Sequence, residues 1–444
     1  ALFHAQAGGR VTGSDRAFDQ GERGETRKAL EDAGVRITPQ DGSYPALESE
    51  FGRPCDALVV STAVEETVPD VRAARDHHIG ILHRSELLAR YVEGHRTIAV
   101  TGTSGKSTVT AMIWTILDGC GRGPGLLTGG PLAALQAAGG LGNAAGPTGD
   151  DRLLVIEADE SDGSLVRYRP WCGVVLNLGL DHKSPAEVRA MFDTFAERTT
   201  GPMVVGAEAN LKDYSSGARR FGIGRDARSG TWAEDVVLGP EGVAFSVEGV
   251  PFTVPEPGRH NVLNAAAAIA ACREVGVALA DMAGPLAKFG GVARRFNVIG
   301  TAGGVTVIDD FAHNPDKIDA ALETGRGRAG EGRVLAVFQP HGFGPTRFLR
   351  EALVETFIET LRANDVLWLP EIFYAGGTVT KDISSGDLTA EIAAGGRDAR
   401  FVPARADLPA AIAAEAHPGD LVLVMGARDP SLTGFCREIL NVLG

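Results

Sequence analysis

Three clusters of residues in this 444-residue sequence have the types and spacing to do chemistry. The first is Gly102-Thr103-Ser104-Gly105-Lys106-Ser107-Thr108, directly after the apolar run Thr97-Ile-Ala-Val-Thr101. Its glycines let backbone N–H groups close on phosphate oxygens that a side chain would hold off. Lys106 adds a point charge, and Ser107 offers a hydroxyl for Mg2+ at the start of a helix. Val100 stands where the longer phosphate-binding loop carries its first glycine, so this is the shorter T-G-T-x-G-K-[ST]-[ST] form. The competing structural reading is a glycine-rich turn with an exposed lysine. The strand before, the helix after and the hydroxyls behind the lysine favour nucleotide phosphates, without specifying the reaction.

The second cluster is Glu157-Ala-Asp159-Glu160-Ser161-Asp162, delivered by the apolar strand Leu153-Leu-Val-Ile156. A carboxylate at the tip of a strand beside a phosphate loop is where a nucleotide's Mg2+ finds a protein ligand. Glu157, attached to the strand itself, is the favoured one; four acids in six residues also fit a solvated turn. The third cluster, Asn177-Leu-Gly-Leu-Asp181-His182-Lys183, again follows a buried-looking strand. Chemistry alone leaves His182 balanced between metal or phosphate contact and ordinary packing.

These clusters need a scaffold of strands ending at a common edge. The pattern predicts three α/β domains with parallel sheets covered on both faces: residues 1–95, 96–293 and 294–444. The first reads as a helix over 1–7, a short strand over 10–12, a helix over 25–33, a strand over 56–62, a helix over 69–77 and a strand–helix unit ending near 93. A doubly wound domain normally begins with a strand and glycine-rich turn, so a first strand is expected ahead of residue 1. In the second, strands are expected over 97–101, 153–157, 173–178 and 203–206. A loose Gly/Ala/Pro stretch covers 121–149, β-like pieces 236–254, and an alanine-rich helix starts at Asn261. In the third, strands are expected over 305–310, 333–339, 365–369 and 420–425.

Composition narrows the partners. A formal charge of -14 argues against nucleic acid or an anionic membrane surface, since either calls for a basic footprint. The five scattered cysteines form no CxxC pair and read as reduced thiols. With no signal-peptide pattern and no bilayer-length apolar run, a cytoplasmic monomer or homodimer is expected.

Taken together the motifs resemble the Mur ligases, in order along the chain: TGTSGKST at 101–108, EADESD at 157–162, NLGLDH at 177–182, GRHNVLNAAAA at 258–267, ARRF at 293–296, DDFAHNP at 309–315 and QPHGFGPTR at 339–347. The early VTGSD and the stretch 61–65 also fit that family's nucleotide-sugar domain. The resemblance implies a Rossmann-like UDP-sugar domain, a central P-loop ATPase domain and a Rossmann-like C-terminal domain. It further implies ATP and Mg2+ as cofactors, with a UDP-N-acetylmuramate-type nucleotide sugar and an amino acid or peptide as partners. The implied activity is ATP-dependent amide bond formation through an acyl phosphate in peptidoglycan precursor synthesis, with L-alanine as the amine.

Roles follow by the same resemblance. Lys106 and the backbone of residues 102–108 would hold phosphates, and Ser107, Glu157 and His182 would hold Mg2+. Asn261 and Asn264 would contact the adenine side, Arg294 or Arg295 would reach the phosphates, Asp310 would bind ribose and His313 would sit near the nucleotide. His341 and Arg347 would face the amino-acid end, and Asp15 and Ser61 the nucleotide sugar. Lys106, Glu157, His182 and Arg295 would carry catalysis.

The sequence departs from the family pattern at several positions. Ser104 replaces a usual histidine, Asn314 replaces another, and Gly342 and Pro345 replace arginines that help bind the anionic substrate. No lysine occurs between Ser184 and Gly201, so the carbamylated lysine of sister ligases is not expected. A ligase that recycles a whole tripeptide is the nearest rival within the family. Rivals of another class are a P-loop phosphotransferase, which has no need of the late motifs, and a non-catalytic nucleotide-binding regulator, which would not need to retain Lys106, Glu157 and His182.

Overall fold

The computed structural model describes residues 1–43, 55–61, 64–212, 214, 217–224, 230–374, 376 and 379–444. Of the stretch 61–65, Thr62 and Ala63 lie outside the described residues. Two large sheets dominate, each covered on both faces by helices, as long apolar runs such as Leu153–Glu157 and Leu421–Gly426 require.

Among the described residues the first sheet has ten strands, with Arg96–Thr101 between Cys172–Val175 on one side and Leu153–Glu157 on the other, these three mutually parallel. Val100 pairs with Glu157 and Thr101 with Val175, so three strands deliver their carboxyl ends at one level. The Lys106–Gly119 and Arg259–Glu274 helices pack on one face; the alanines of the latter, fully buried from Ala265 to Ala268, allow close approach. The Pro185–Arg198 helix covers the other face, started by a reciprocal Ser184–Glu187 cap with Pro185 in its first turn.

The stretch 121–149 is not loose. Gly125–Leu127 joins the sheet parallel to Leu153–Glu157, and Ala144–Ala145 pairs beyond it. Its glycines and alanines carry no hydrophobic period, and its order comes from the neighbouring strand. Arg219–Ile223 is a further strand absent from the sequence expectation.

Among the described residues the second sheet runs Asn297–Ala302, Val305–Asp310, Leu421–Gly426, Val334–Gln339, Val366–Leu369 and Asp398–Phe401, with its first pair antiparallel and the rest parallel. The outermost strands, 297–302 and 398–401, were not expected, because edge strands exposed to solvent lose the apolar signature. Among the described residues of the first 95, strands form two parallel pairs, Thr12–Gly13 with Arg36–Ile37 and Ala57–Val60 with Gly80–His83. The opening helix Leu2–Gln6 leans on the central sheet, with Phe3 buried against Tyr91 and Gln6 accepting from Gly146 N. No described helix is long and apolar enough to cross a membrane.

Candidate active site

The edge where Thr101, Glu157 and Val175 end opens onto a cavity of about 1050 Å3 between the two large sheets. The loop after Thr101 is built by its own glycines and by one asparagine. Gly105 caps the following helix at φ +83°, and a Cβ there would lie 2.6 Å from Asn264 Oδ1. Asn177 Oδ1 accepts from Ser104 N (2.8 Å) and Thr103 Oγ1 (3.0 Å), while its Nδ2 donates to Ser104 O (3.1 Å). This clamp fixes the loop before any ligand arrives.

Lys106 is buried and turned inward. Its Nζ donates to Gly102 O and pairs with Glu160, both at 2.8 Å. Against burial, which disfavours its charge, Glu160 and then Asp159 and Glu157 hold Lys106 above its ordinary value. Ser107 Oγ lies 3.0 Å from both oxygens of Glu157, which also accepts from Thr128 Oγ1 (2.9 Å) and Gly129 N (2.7 Å). A carboxylate and a hydroxyl facing one cavity form a hard oxygen donor set of the kind Mg2+ takes.

His182 stands apart from that pair. Its Nε2 lies 3.6 Å from Asp181, and its ring stacks on His313 at 5.6 Å between centroids. His341 closes the group, 5.5 Å from His313 and 6.4 Å from His182. Asp181 is the anchor: Oδ2 accepts from Lys317 Nζ (2.8 Å) and Asn314 Nδ2 (2.9 Å) across the domain boundary. Its Oδ1, buried and without a hydrogen bond, faces His313 Nε2 at 3.4 Å. Asp181, His182 and His313 offer ligand atoms within 4.8 Å of one another, a second place with the donors for a cation. Burial opposes the charge of Asp181, but His313 and Lys317 hold its carboxyl well below the usual range. Burial, reinforced by Lys317, pushes His313 down to about 4; burial, then His313 and His182, pushes His341 down to about 3.

The two hinge arginines diverge. Arg295 crosses the cleft, its Nη2 3.4 Å from Ser107 Oγ. Arg294 turns back at φ +59° into the C-terminal domain, bonding Asp309, Gly426 O (2.8 Å) and Asp429 O (3.3 Å). Phe311 lies between them, 5.2 and 4.7 Å from their guanidinium carbons. Of the two, Arg295 is the one that reaches the loop; Arg294 also lines the cavity, with its guanidinium bonded within its own domain. Asp310 is likewise engaged, accepting from Phe296 N (2.6 Å) and Ala312 N (2.7 Å).

Asn261 and Asn264 line the cavity but bond each other (3.0 Å), and Asn261 also bonds Pro257 O (2.8 Å), so they shape the wall as a pair. Arg347 is not brought to the site. It sits in the Phe343–Thr360 helix, pairs with Asp382 and does not line the cavity. Asp15 caps the Arg16–Asp19 helix through Ala17 N, and Ser61 O accepts from Val64 N; neither lines the cavity. Asn177, Glu160 and Lys317 were not singled out from sequence. The first two lay inside quoted motifs, as a polar residue at a strand end and an acid beside the favoured one.

The family descriptions "Mur ligase family, catalytic domain", "Mur ligase middle domain" and "Mur ligase, glutamate ligase domain" match residues 1–96, 100–272 and 294–428 in turn. The UDP-N-acetylmuramate–L-alanine ligase of Streptomyces avermitilis is 36% identical over 98% of this chain and 92% of its own length. The chain belongs to the Mur ligase family. The enzyme of the same name from Kineococcus radiotolerans is 36% identical over 94% of this Mur ligase and 88% of its own length. The crystal structure of UDP-N-acetylmuramate–alanine ligase MurC from Thermotoga maritima superimposes with a TM-score of 0.74 at 26% identity, over 99% of this chain and 95% of that one. The expected three-domain α/β architecture is therefore the observed one.

Proposed function

We propose that this Mur ligase joins the carboxylate of UDP-N-acetylmuramate to L-alanine, with ATP, in peptidoglycan precursor synthesis in the cytoplasm. Relatives of that name at 36% identity over nearly the whole chain support the reading. The observation that carries it is one cavity lined from the central domain by Lys106, Ser107 and Glu157, from the C-terminal domain by His313 and His341, and crossed by Arg295. A phosphotransferase does not need the second wall.

In this reading residues 1–95 hold the nucleotide sugar, 96–293 hold ATP and 294–444 supply the amine. The clamped loop and Lys106 bind the β- and γ-phosphates, and Lys106 exchanges Glu160 for a phosphate oxygen. Ser107 and Glu157, with His182 facing the same cavity, would hold Mg2+, which neutralises phosphate charge when bound. A carboxylate oxygen of the sugar attacks the γ-phosphorus, ADP leaves, and an acyl phosphate results. The amine then attacks the acyl carbon and phosphate departs. Two anions must meet in the first step, so charge neutralisation by Lys106 and Arg295 and exclusion of water dominate the catalysis.

The test is phosphate release from ATP with UDP-N-acetylmuramate and, in parallel, L-alanine, glycine, L-serine or the cell-wall tripeptide, with mass detection of the product. L-alanine-dependent release with the matching adduct is expected. Release with the tripeptide alone would transfer the assignment to a recycling ligase.

A further inference from the structure

Three adjacent parallel strands of the C-terminal sheet, Val305–Asp310, Leu421–Gly426 and Val334–Gln339, end at one level: Asp310 pairs with Met425, and Gln339 with Gly426. Past these ends the outer two deliver His313 and His341 to the cavity. The middle one delivers Arg428.

Arg428 sits at φ +67°, a left-handed conformation that favours glycine and that a side chain occupies at a cost the surroundings must offset. Here the surroundings do so. Arg294 bonds Gly426 O and Asp429 O on either side, and buried Asp429 accepts from Ser431 N (2.9 Å) and Oγ (2.6 Å) while pairing with Arg405. A turn this heavily braced presents its arginine in a fixed direction.

Six cations line the cavity among the described residues, and their partners separate them. Lys106 is on Glu160, Lys317 on Asp181, Arg294 on Asp309, and Arg295 reaches Ser107. Arg437, on the Leu432–Leu443 helix, also lines the cavity and has no hydrogen bond or ion pair to any described residue, but it lies on a helix rather than on a turn at the strand ends. Arg428 has no hydrogen bond or ion pair to any described residue, and its charge reaches both His182 and His341. The neighbouring positions 342 and 345 are Gly and Pro and carry no charge, and Arg347 is turned away to Asp382.

We propose that Arg428 receives the α-carboxylate of the incoming amino acid, so that the braced 426–431 turn sets the demand for a free carboxylate on the amine substrate. This rests on the ligase reading above. A guanidinium suits a carboxylate through two parallel N–H···O bonds, and a site built for that pairing discriminates against an uncharged analogue.

The test compares L-alanine with L-alaninamide in wild type, Arg428→Ala and Arg428→Lys, with the KM for each substrate measured separately. In Arg428→Ala the KM for L-alanine is expected to rise about 30- to 100-fold. The KM for ATP and UDP-N-acetylmuramate should stay within about 3-fold. The preference for L-alanine over its amide should collapse, and Arg428→Lys should restore part of it. A retained preference in Arg428→Ala, or a rise confined to the KM of ATP or the nucleotide sugar, would overturn the assignment. A wild-type protein that forms no L-alanine adduct overturns the ligase reading itself, and this assignment with it.

Discussion

The two walls of the cleft are built alike but hold their reactive groups differently. Each is an edge where neighbouring parallel strands end together. On the central-domain wall the reactive groups are already paired with one another, Lys106 with Glu160 and Ser107 with Glu157. On the C-terminal wall Lys317 and Arg294 are paired with Asp181 and Asp309, but the histidines are kept neutral by burial and Arg428 has no hydrogen bond or ion pair to any described residue. In the proposed reading, the wall that receives the highly charged nucleotide keeps Lys106 compensated until exchange. In the same reading, the wall that receives the amino acid leaves Arg428 open to its carboxylate. The difference teaches that ion pairing and burial are two ways to hold reactive groups compensated or neutral, and that a cation left outside both stands out.

That comparison breaks first at Lys106. Lys106→Ala should lower ATP-dependent product formation by at least about 10^3-fold, since a preorganised cation at the transferred phosphate is lost. Turnover within tenfold of wild type would mean that the Glu160 pair is structural only.

The hinge sharpens it next. Arg295→Ala should cut kcat roughly 10^2-fold with little change in thermal midpoint, because its contact is across the cleft. Arg294→Ala should do the reverse, costing about 2–4 kcal/mol of stability by leaving the buried Asp309 with the Thr433 hydroxyl but no compensating cation. Equal effects of the two on kcat would dissolve the distinction drawn between them.

Gly105→Ala probes the loop itself. The left-handed φ and the approach to Asn264 Oδ1 should weaken ATP binding about tenfold, from roughly 1–2 kcal/mol of backbone strain. Isothermal titration with ATP would read this directly.

The smallest effect is on pH. His313 and His341 titrate at about 4 and about 3 in the folded protein, below the ordinary value of about 6.5. Between about 6.5 and 4 the unfolded chain therefore takes up protons that the folded chain refuses, and stability falls as pH falls through that window. Comparing thermal midpoints at pH 7 and 5, His341→Gln should reduce the drop by roughly 2–4 °C. An unchanged slope would mean that His341 is not buried in solution.

Much of the central wall was legible because its parts are contiguous. A strand, two glycines, a lysine and hydroxyls in one run describe their own geometry, and Glu157 follows from being the last residue of an apolar strand. Less could be read where a role depends on which strand lies beside which. Asn177 clamps residues more than seventy positions earlier in the chain, and Lys317 reaches Asp181 across two domains. Arg294 and Arg295 are indistinguishable as letters; a left-handed backbone at 294 separates them. Arg347 was expected in the site from the resemblance of residues 339–347 to the family motif, but the helix begun at Phe343 carries it round to Asp382.

The hinge has a consequence for how the halves of the molecule communicate. Residue 294 is bolted to the C-terminal sheet and residue 295 touches the nucleotide loop, with no slack between them. Any rotation of one body is transmitted to Ser107 as through a short crank, and a single glycine inserted between the two arginines would disengage it while leaving both contacts chemically possible.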